Sequence, residues 1–320
     1  MTVARSGALV GIFCAAGASI GFSLNDMLVK FFSGDYPLHQ IVLIRSIIGM
    51  SLTAGIFMQM EGGWRNLRTR RPFMHLARGL GLVAANLTFF TGLAALPLAD
   101  ATAIFFVAPL VIAALSVLFL GEQVGWRRWL AIAVGFIGVL VIVRPTSASF
   151  QVAAIMPVIA ACCYAAVHIM TRKMGPTESA STMAIYVQLC FLVVSVLFGL
   201  AIGDGKFATD AHPSLAFVFA PWVWPAPDDF GLLLLVGASS ATGGYLISQA
   251  YRSAEAGLVA PFEYLSLVFA IFWGFVVFSE APSLAAAAGI ALIIGSGLYL
   301  AFRESLRGAR LSARRASERK

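Results

Sequence analysis

Arg45 and Arg78 stand inside long apolar stretches of this sequence, where a charge must have a reason. A guanidinium at the centre of a lipid-embedded helix costs roughly 2.5–3.5 kcal/mol on insertion scales, so each must face a partner or a wet cavity. Counting turns from the ends of the stretches offers partners. Asp26 falls near the depth of Arg45 and Glu263 near that of Arg78, which predicts one ion pair in each half of a membrane. Such pairs can tie helices together, or they can border a cavity as gates and proton carriers. His168, also within a stretch, could relay a proton or simply pack. Asn86, Gln188, Gln249, Tyr164, Tyr245 and Tyr264 complete the polar candidates for substrate binding or gating, although polar side chains in spans often bond only to neighbouring helices. Phe105 and Phe106 form an aromatic pair that would suit a planar or ring-bearing solute.

Several other chemistries find no residues. The run "GDGK" at Gly203–Lys206 lacks the upstream glycine and the Ser/Thr after lysine of a nucleotide-binding loop. No Ser/His/Asp set and no Cys/His spacing of a zinc site occurs, and Cys14, Cys162, Cys163 and Cys190 fall within apolar stretches as small packing residues. We therefore expect no cofactor, no metal and no catalytic residue. Glu122 and Glu280, at the ends of stretches beside loops, read as helix-end or hinge residues.

The elements that must position these side chains are membrane spans. The chain has 320 residues, 60% of them hydrophobic and 12% charged, with a mean hydropathy of +0.88. Stretches of about 20 apolar residues match a hydrocarbon core of roughly 30 Å, and a soluble domain of this length could not hide so much apolar surface. The expected spans are 7–29, 38–59, 72–93, 98–120, 127–143, 152–171, 182–203, 230–250, 256–279 and 284–302. Each should be helical, because lipid offers no partner to open backbone groups. The fold class is all-α, a polytopic membrane protein of ten helices. The segment 204–229 carries Trp222, Trp224, Pro221, Pro225 and Pro227, and reads as an interfacial loop.

Basic residues set the orientation. With a cytoplasmic N-terminus, only Lys30, Arg144 and Lys206 fall outside, Arg45 and Arg78 stay within spans, and the rest of the 22 lie inside. Both termini are thus expected in the cytoplasm of a bacterial inner-membrane protein. The net charge of +7 is then a topology signal rather than a nucleic-acid footprint, and membrane lipid is the expected surroundings.

The sequence also repeats itself. "LPLADATAIFFVAPLVIAALSVLFLGE", ending at Glu122, lies over "SAEAGLVAPFEYLSLVFAIFWGFVVFSE", ending at Glu280. "MLVKFFSGDYPLHQIVLIR" lies over "IMTRKMGPTESASTMAIYVQ", which brings Lys30 near Lys173, Arg45 near Gln188 and, just upstream, Asn25 near His168. The expected organisation is a first repeat over 1–150, a second over 151–303 and a basic cytoplasmic tail over 304–320. Five spans per repeat is an odd number, so the second repeat enters the membrane inverted, and substrate sites in such folds lie near the midplane between repeats. Glycines in spans five and ten (Gly135, Gly138, Gly289, Gly295, Gly297) allow close helix approach, within the chain or in a homodimer.

These repeats, with "SLNDMLVK" in span one, "RPFMHLARG" opening span three and "WRRW" before span five, resemble the drug/metabolite transporter superfamily, in its ten-helix branch with two EamA repeats. The resemblance covers roughly 7–303. "ND", "RPFMHLARG" and "APFEYL" together are similar to the subgroup containing bacterial S-adenosylmethionine uptake transporters, whose last motif reads "APYRYL"; Glu263 stands where that motif has arginine. Bacterial riboflavin transporters belong to the same branch. The resemblance implies a secondary transporter that moves a small organic metabolite by alternating access. Riboflavin or a similar vitamin is the first expectation, with S-adenosylmethionine uptake and amino-acid or drug export as alternatives. A membrane enzyme or a channel is the reading from another class.

Overall fold

The structure is a computed structural model and describes residues 2–60, 63–67, 69, 71–120, 126–144, 151–174, 178–253 and 262–317. Its helices are α1 (Thr2–Phe31), α2 (Leu38–Leu52), α3 (Pro72–Leu93), α4 (Leu98–Phe105), α5 (Ala108–Leu120) and α6 (Trp126–Val143). There follow α7 (Ile155–Met174), α8 (Ala180–Ile202), the short α9 (Pro213–Phe219), α10 (Phe230–Ser253), α11 (Leu265–Phe278) and α12 (Leu284–Ser317). Local chemistry sets several of their ends. Pro72 opens α3 at a position whose N–H has no helical partner to lose. Ser179 caps α8 by accepting a hydrogen bond from the Thr182 N–H at 3.1 Å. A π-helical turn, Thr53–Phe57, carries α2 on towards Met60.

Seven of the described helices are long and apolar enough to cross a membrane: Leu9–Gly34, Leu38–Met60, Pro72–Leu93, Leu98–Phe119, Val152–Thr171, Ser181–Ile202 and Pro227–Ala250. The remaining three expected spans appear as shorter apolar helices of 10–17 residues, Trp129–Val143, Leu265–Phe278 and Leu284–Tyr299. The expected span 256–279 falls partly on residues outside the described set. The protein is an all-α, polytopic membrane protein. Phe13, Leu118 and Leu200 expose well over half of their surface from these helices, as side chains meeting lipid do.

The segment 204–229 forms no span. It holds α9 and is tied to the end of α1 and the start of α2. The Tyr36 hydroxyl donates to Asp229 Oδ2 at 2.6 Å, and Gln40 exchanges two hydrogen bonds with the backbone of Val223. The bond to the Asp229 carboxylate holds the Tyr36 hydroxyl above its ordinary pKa. Trp224, 94% exposed, stands out from this segment. In the basic tail α12 continues as helix through Ser317. Residues 304–317 hold one glycine and no proline among Ala, Arg, Leu, Glu and Ser, so nothing in them ends a helix firmly.

Helix pairs build the core. α1 packs on α10 and α11, α7 packs on α3 and α5, α2 on α8 and α10, and α3 on α8. α4 meets α11, and α6 meets α12. The last contact is backbone to backbone: a Cβ added at Gly138 would fall 2.8 Å from the Gly289 carbonyl oxygen, so only glycine permits the approach.

Candidate functional site

α4 stops at Phe105 and α5 starts at Ala108, so one apolar stretch is two half-helices. The join is tightened, with the Phe106 N–H donating to the carbonyls of both Thr102 and Ala103. A second join precedes α11, where Tyr264 forms a turn between the helical residues Phe262–Glu263 and Leu265. The two joins touch. The rings of Phe106 and Tyr264 lie 5.1 Å apart. Broken helices meeting inside a membrane protein free backbone groups and make space, which is how transporter sites are commonly built.

An aromatic chain runs outward from this point. Phe105 contacts Phe106, Phe89 and Tyr164, with centroids 6.5, 5.1 and 5.2 Å away. Tyr164 meets the His168 ring edge-on at 4.4 Å, one turn along α7. The charge of Glu263 reaches both Tyr164 and Tyr264, and the charge of Arg78 also reaches Tyr164. Tyr264 is 6% exposed, and its hydroxyl packs over Gly297 with no hydrogen-bond partner among the described residues. The structure thus brings together Phe105, Phe106, Tyr164, His168, Glu263 and Tyr264 from the candidate set, and adds Phe89.

The arginines sit beside this chain with partners other than those depth suggested. Arg45, 4% exposed, donates to Asn86 Oδ1 at 3.0 Å and lies against the rings of Phe90 and Phe191. Asp26 accepts from Asn25 Nδ2 at 3.1 Å and acts on Arg45 through space, without direct contact. Arg78 donates to Thr171 Oγ1 at 2.8 Å and to the Met183 carbonyl at 3.2 Å. The direct Arg78–Glu263 pair therefore gives way to two charges flanking Tyr164. The physical reason is that depth fixes a residue's level on a helix but not its azimuth, and Thr171 on α7 and the Met183 carbonyl in the first turn of α8 face Arg78 first.

Three candidates stand apart from the aromatic chain. The Gln188 amide packs on Gly49, where α2 crosses α8. Tyr245 stacks on Phe57 at 4.0 Å and accepts a hydrogen bond from Gln249 at 2.8 Å.

Two further clusters escaped the sequence reading. On one face of the molecule Glu178 takes a hydrogen bond from Thr69 at 2.8 Å and lies 3.4 Å from His75 Nε2, while His75 stacks on Tyr186. On the opposite face Lys30 Nζ lies 2.6 and 2.9 Å from the two carboxylate oxygens of Glu280 and 2.8 Å from the Leu96 carbonyl. Glu280 also accepts from the Leu98 N–H at 2.9 Å, which caps the start of α4. Glu280 is thus the junction of two helix ends rather than a simple helix end. The signal available in sequence was that both long repeat segments close on Glu and both shorter ones carry Lys. Glu122 lies outside the described residues.

Among the described residues, no group of His, Cys, Asp and Glu could hold a metal ion. Known proteins place this architecture. Residues 9–144 and 151–302 each match the EamA-like transporter family. The S-adenosylmethionine uptake transporter of Rickettsia bellii is 27% identical over 285 residues, covering 89% of this chain and 91% of that protein. The riboflavin transporter of Brucella anthropi is 30% identical over 260 residues, covering 81% of this chain and 86% of the other. The pseudopaline exporter CntI of Pseudomonas aeruginosa strain UCBPP-PA14 is 29% identical, covering 89% and 93%. A solved crystal structure shares the fold at a TM-score of 0.65 and 19% identity, over 93% of this chain and 97% of its own.

Proposed function

The chain belongs to the EamA-like transporter family, and on that premise we propose that it carries a ring-bearing metabolite by alternating access between two inverted five-helix repeats. Family and relatives make its role transport rather than catalysis. The observation that carries the proposal is the meeting of the two helix breaks at Phe106 and Tyr264. In the repeat register that superimposes Glu122 on Glu280, those two residues are equivalent. The helix contacts support the same symmetry. Exchanging the halves turns the α1–α10 contact into α7–α3, α1–α11 into α7–α5, and α2–α10 into α8–α3. The α2–α8 and α6–α12 contacts map onto themselves.

Riboflavin is our first substrate, because the partly buried Phe105 and Tyr164, backed by Phe89, Phe106 and Tyr264, make an aromatic cluster suited to a flat heterocycle. S-adenosylmethionine is the second, favoured by the Glu263 charge beside two tyrosines, a setting suited to a sulfonium. The Lys30 face is placed outside and the Glu178 face in the cytoplasm, following the basic-residue asymmetry. Gly138 and Gly289 are used for packing within the chain. The test is a thermal-shift comparison of purified protein with riboflavin, S-adenosylmethionine and amino acids. Stabilisation by riboflavin is expected, and stabilisation by amino acids alone would refute the substrate class.

A further inference from the structure

On the Lys30 face a third charge stands beside the Lys30–Glu280 pair. Asp100, in the first turn of α4, interacts electrostatically with both, and its Oδ1 has no hydrogen-bond partner among the described residues. The three groups divide unequally between the halves of the chain. Lys30 and Asp100 belong to the first half, whereas Glu280 follows α11 in the second. The present bond therefore locks one half to the other, and the waiting acceptor lies on the lysine's own half.

The lock is enclosed and held under backbone strain. The side chains of Lys30 and Glu280 are 10% and 29% exposed, and the ammonium lies 4.8 Å from the centre of the Phe278 ring. Ser279 adopts a left-handed conformation (φ 54°, ψ 28°), which a non-glycine residue disfavours. That turn lets the Glu280 N–H return to the Gly274 carbonyl at 2.8 Å and aims the carboxylate at Lys30. The repeat puts Gly121 at the corresponding position, so the second half keeps a strained residue where the first has a permissive one. Arg144, the other charge acting on Asp100, donates to Ser283 Oγ at 3.1 Å.

We propose that Lys30 is a partner-exchanging latch: bound to Glu280 it holds this face shut, and transferred to Asp100 it releases the second half while remaining paired. A partly buried ion pair resists opening because separation leaves the more enclosed charge, here Lys30, unsatisfied. Exchange removes that obstacle for the lysine, and the Glu280 carboxylate emerges towards water. The assignment rests on the transport reading for its place in a cycle, but its test needs no substrate. A permanent staple is the competing role, with Asp100 then serving only the N-terminal dipole of α4.

Opposite effects of the two carboxylates separate these roles. Ser23, 2% exposed, lies seven residues before Lys30 on the same face of α1 and about 10 Å deeper. Ser23→Cys, with the four native cysteines replaced by alanine, reports opening of the Lys30 face through its reaction with a membrane-impermeant maleimide. Vesicles of both orientations identify the side from which it reacts. Glu280→Gln should speed labelling on the order of tenfold, and Asp100→Asn should slow it severalfold, by biasing the latch in opposite directions. Equal rates in both variants, or shifts of the same sign, would overturn the exchange. Should Glu280→Gln fail to insert, Glu280→Asp, which keeps the charge but loses reach, is expected to give the same acceleration. Failure to move riboflavin or S-adenosylmethionine would count against the transport reading, and the labelling result would stand by itself.

Discussion

Tyr264 has a buried hydroxyl that packs over Gly297 with no hydrogen-bond partner among the described residues, at the point where two broken helices meet. A group left unsatisfied there costs little to delete, so Tyr264→Phe should leave the melting temperature of the purified protein nearly unchanged. Scanning calorimetry checks it. The opposite is expected at Asn86, the direct hydrogen-bond partner of the buried Arg45. Asn86→Ala should destabilise by about 1–2 kcal/mol, read as earlier thermal unfolding in detergent, because the guanidinium loses its acceptor. The sequence singled out Arg45, Arg78, Asp26 and Glu263 because charges in apolar stretches are rare and must be explained. It could not pair them. Asn86 and Thr171 are neutral, and neutral acceptors leave no mark in a search for opposite charges.

Helix breaks and helix contacts are properties of elements. Gly138 and Gly289 let α6 and α12 touch along their backbones, so Gly138→Leu should force them apart and cost about 1–3 kcal/mol of stability, read by thermal unfolding in detergent. Gly138→Ala should cost less. At Ser279 the left-handed turn tolerates glycine, so Ser279→Gly should insert and unfold no earlier than the parent, whereas Ser279→Val should lower the melting temperature. Most spans were legible because twenty apolar residues leave few alternatives to a membrane helix. The breaks at Phe106 and Tyr264 went unread because neither interrupts the apolar run that marked the span, although Pro109, which has no N–H to offer the Phe105 carbonyl, marks the first of them.

For the whole molecule, two matches to the transporter family, at 9–144 and 151–302, surround the aromatic cluster that we propose as the site. Orientation is the first test at this scale. A cysteine at Asp210 should react with an impermeant reagent applied to intact cells, and one at Thr69 should react only after permeabilisation; the reverse pattern would invert the assignment of faces. The repeat was readable from matching segments, whereas the contacts that exchange under its symmetry needed coordinates. The most direct measurement is counterflow. Purified protein in proteoliposomes preloaded with unlabelled riboflavin should take up labelled riboflavin saturably and faster than empty vesicles, and Phe105→Ala should slow that uptake severalfold without loss of inserted protein. Uptake that does not saturate, or that is indifferent to solute inside for both riboflavin and S-adenosylmethionine, would contradict a carrier with its site at the helix breaks.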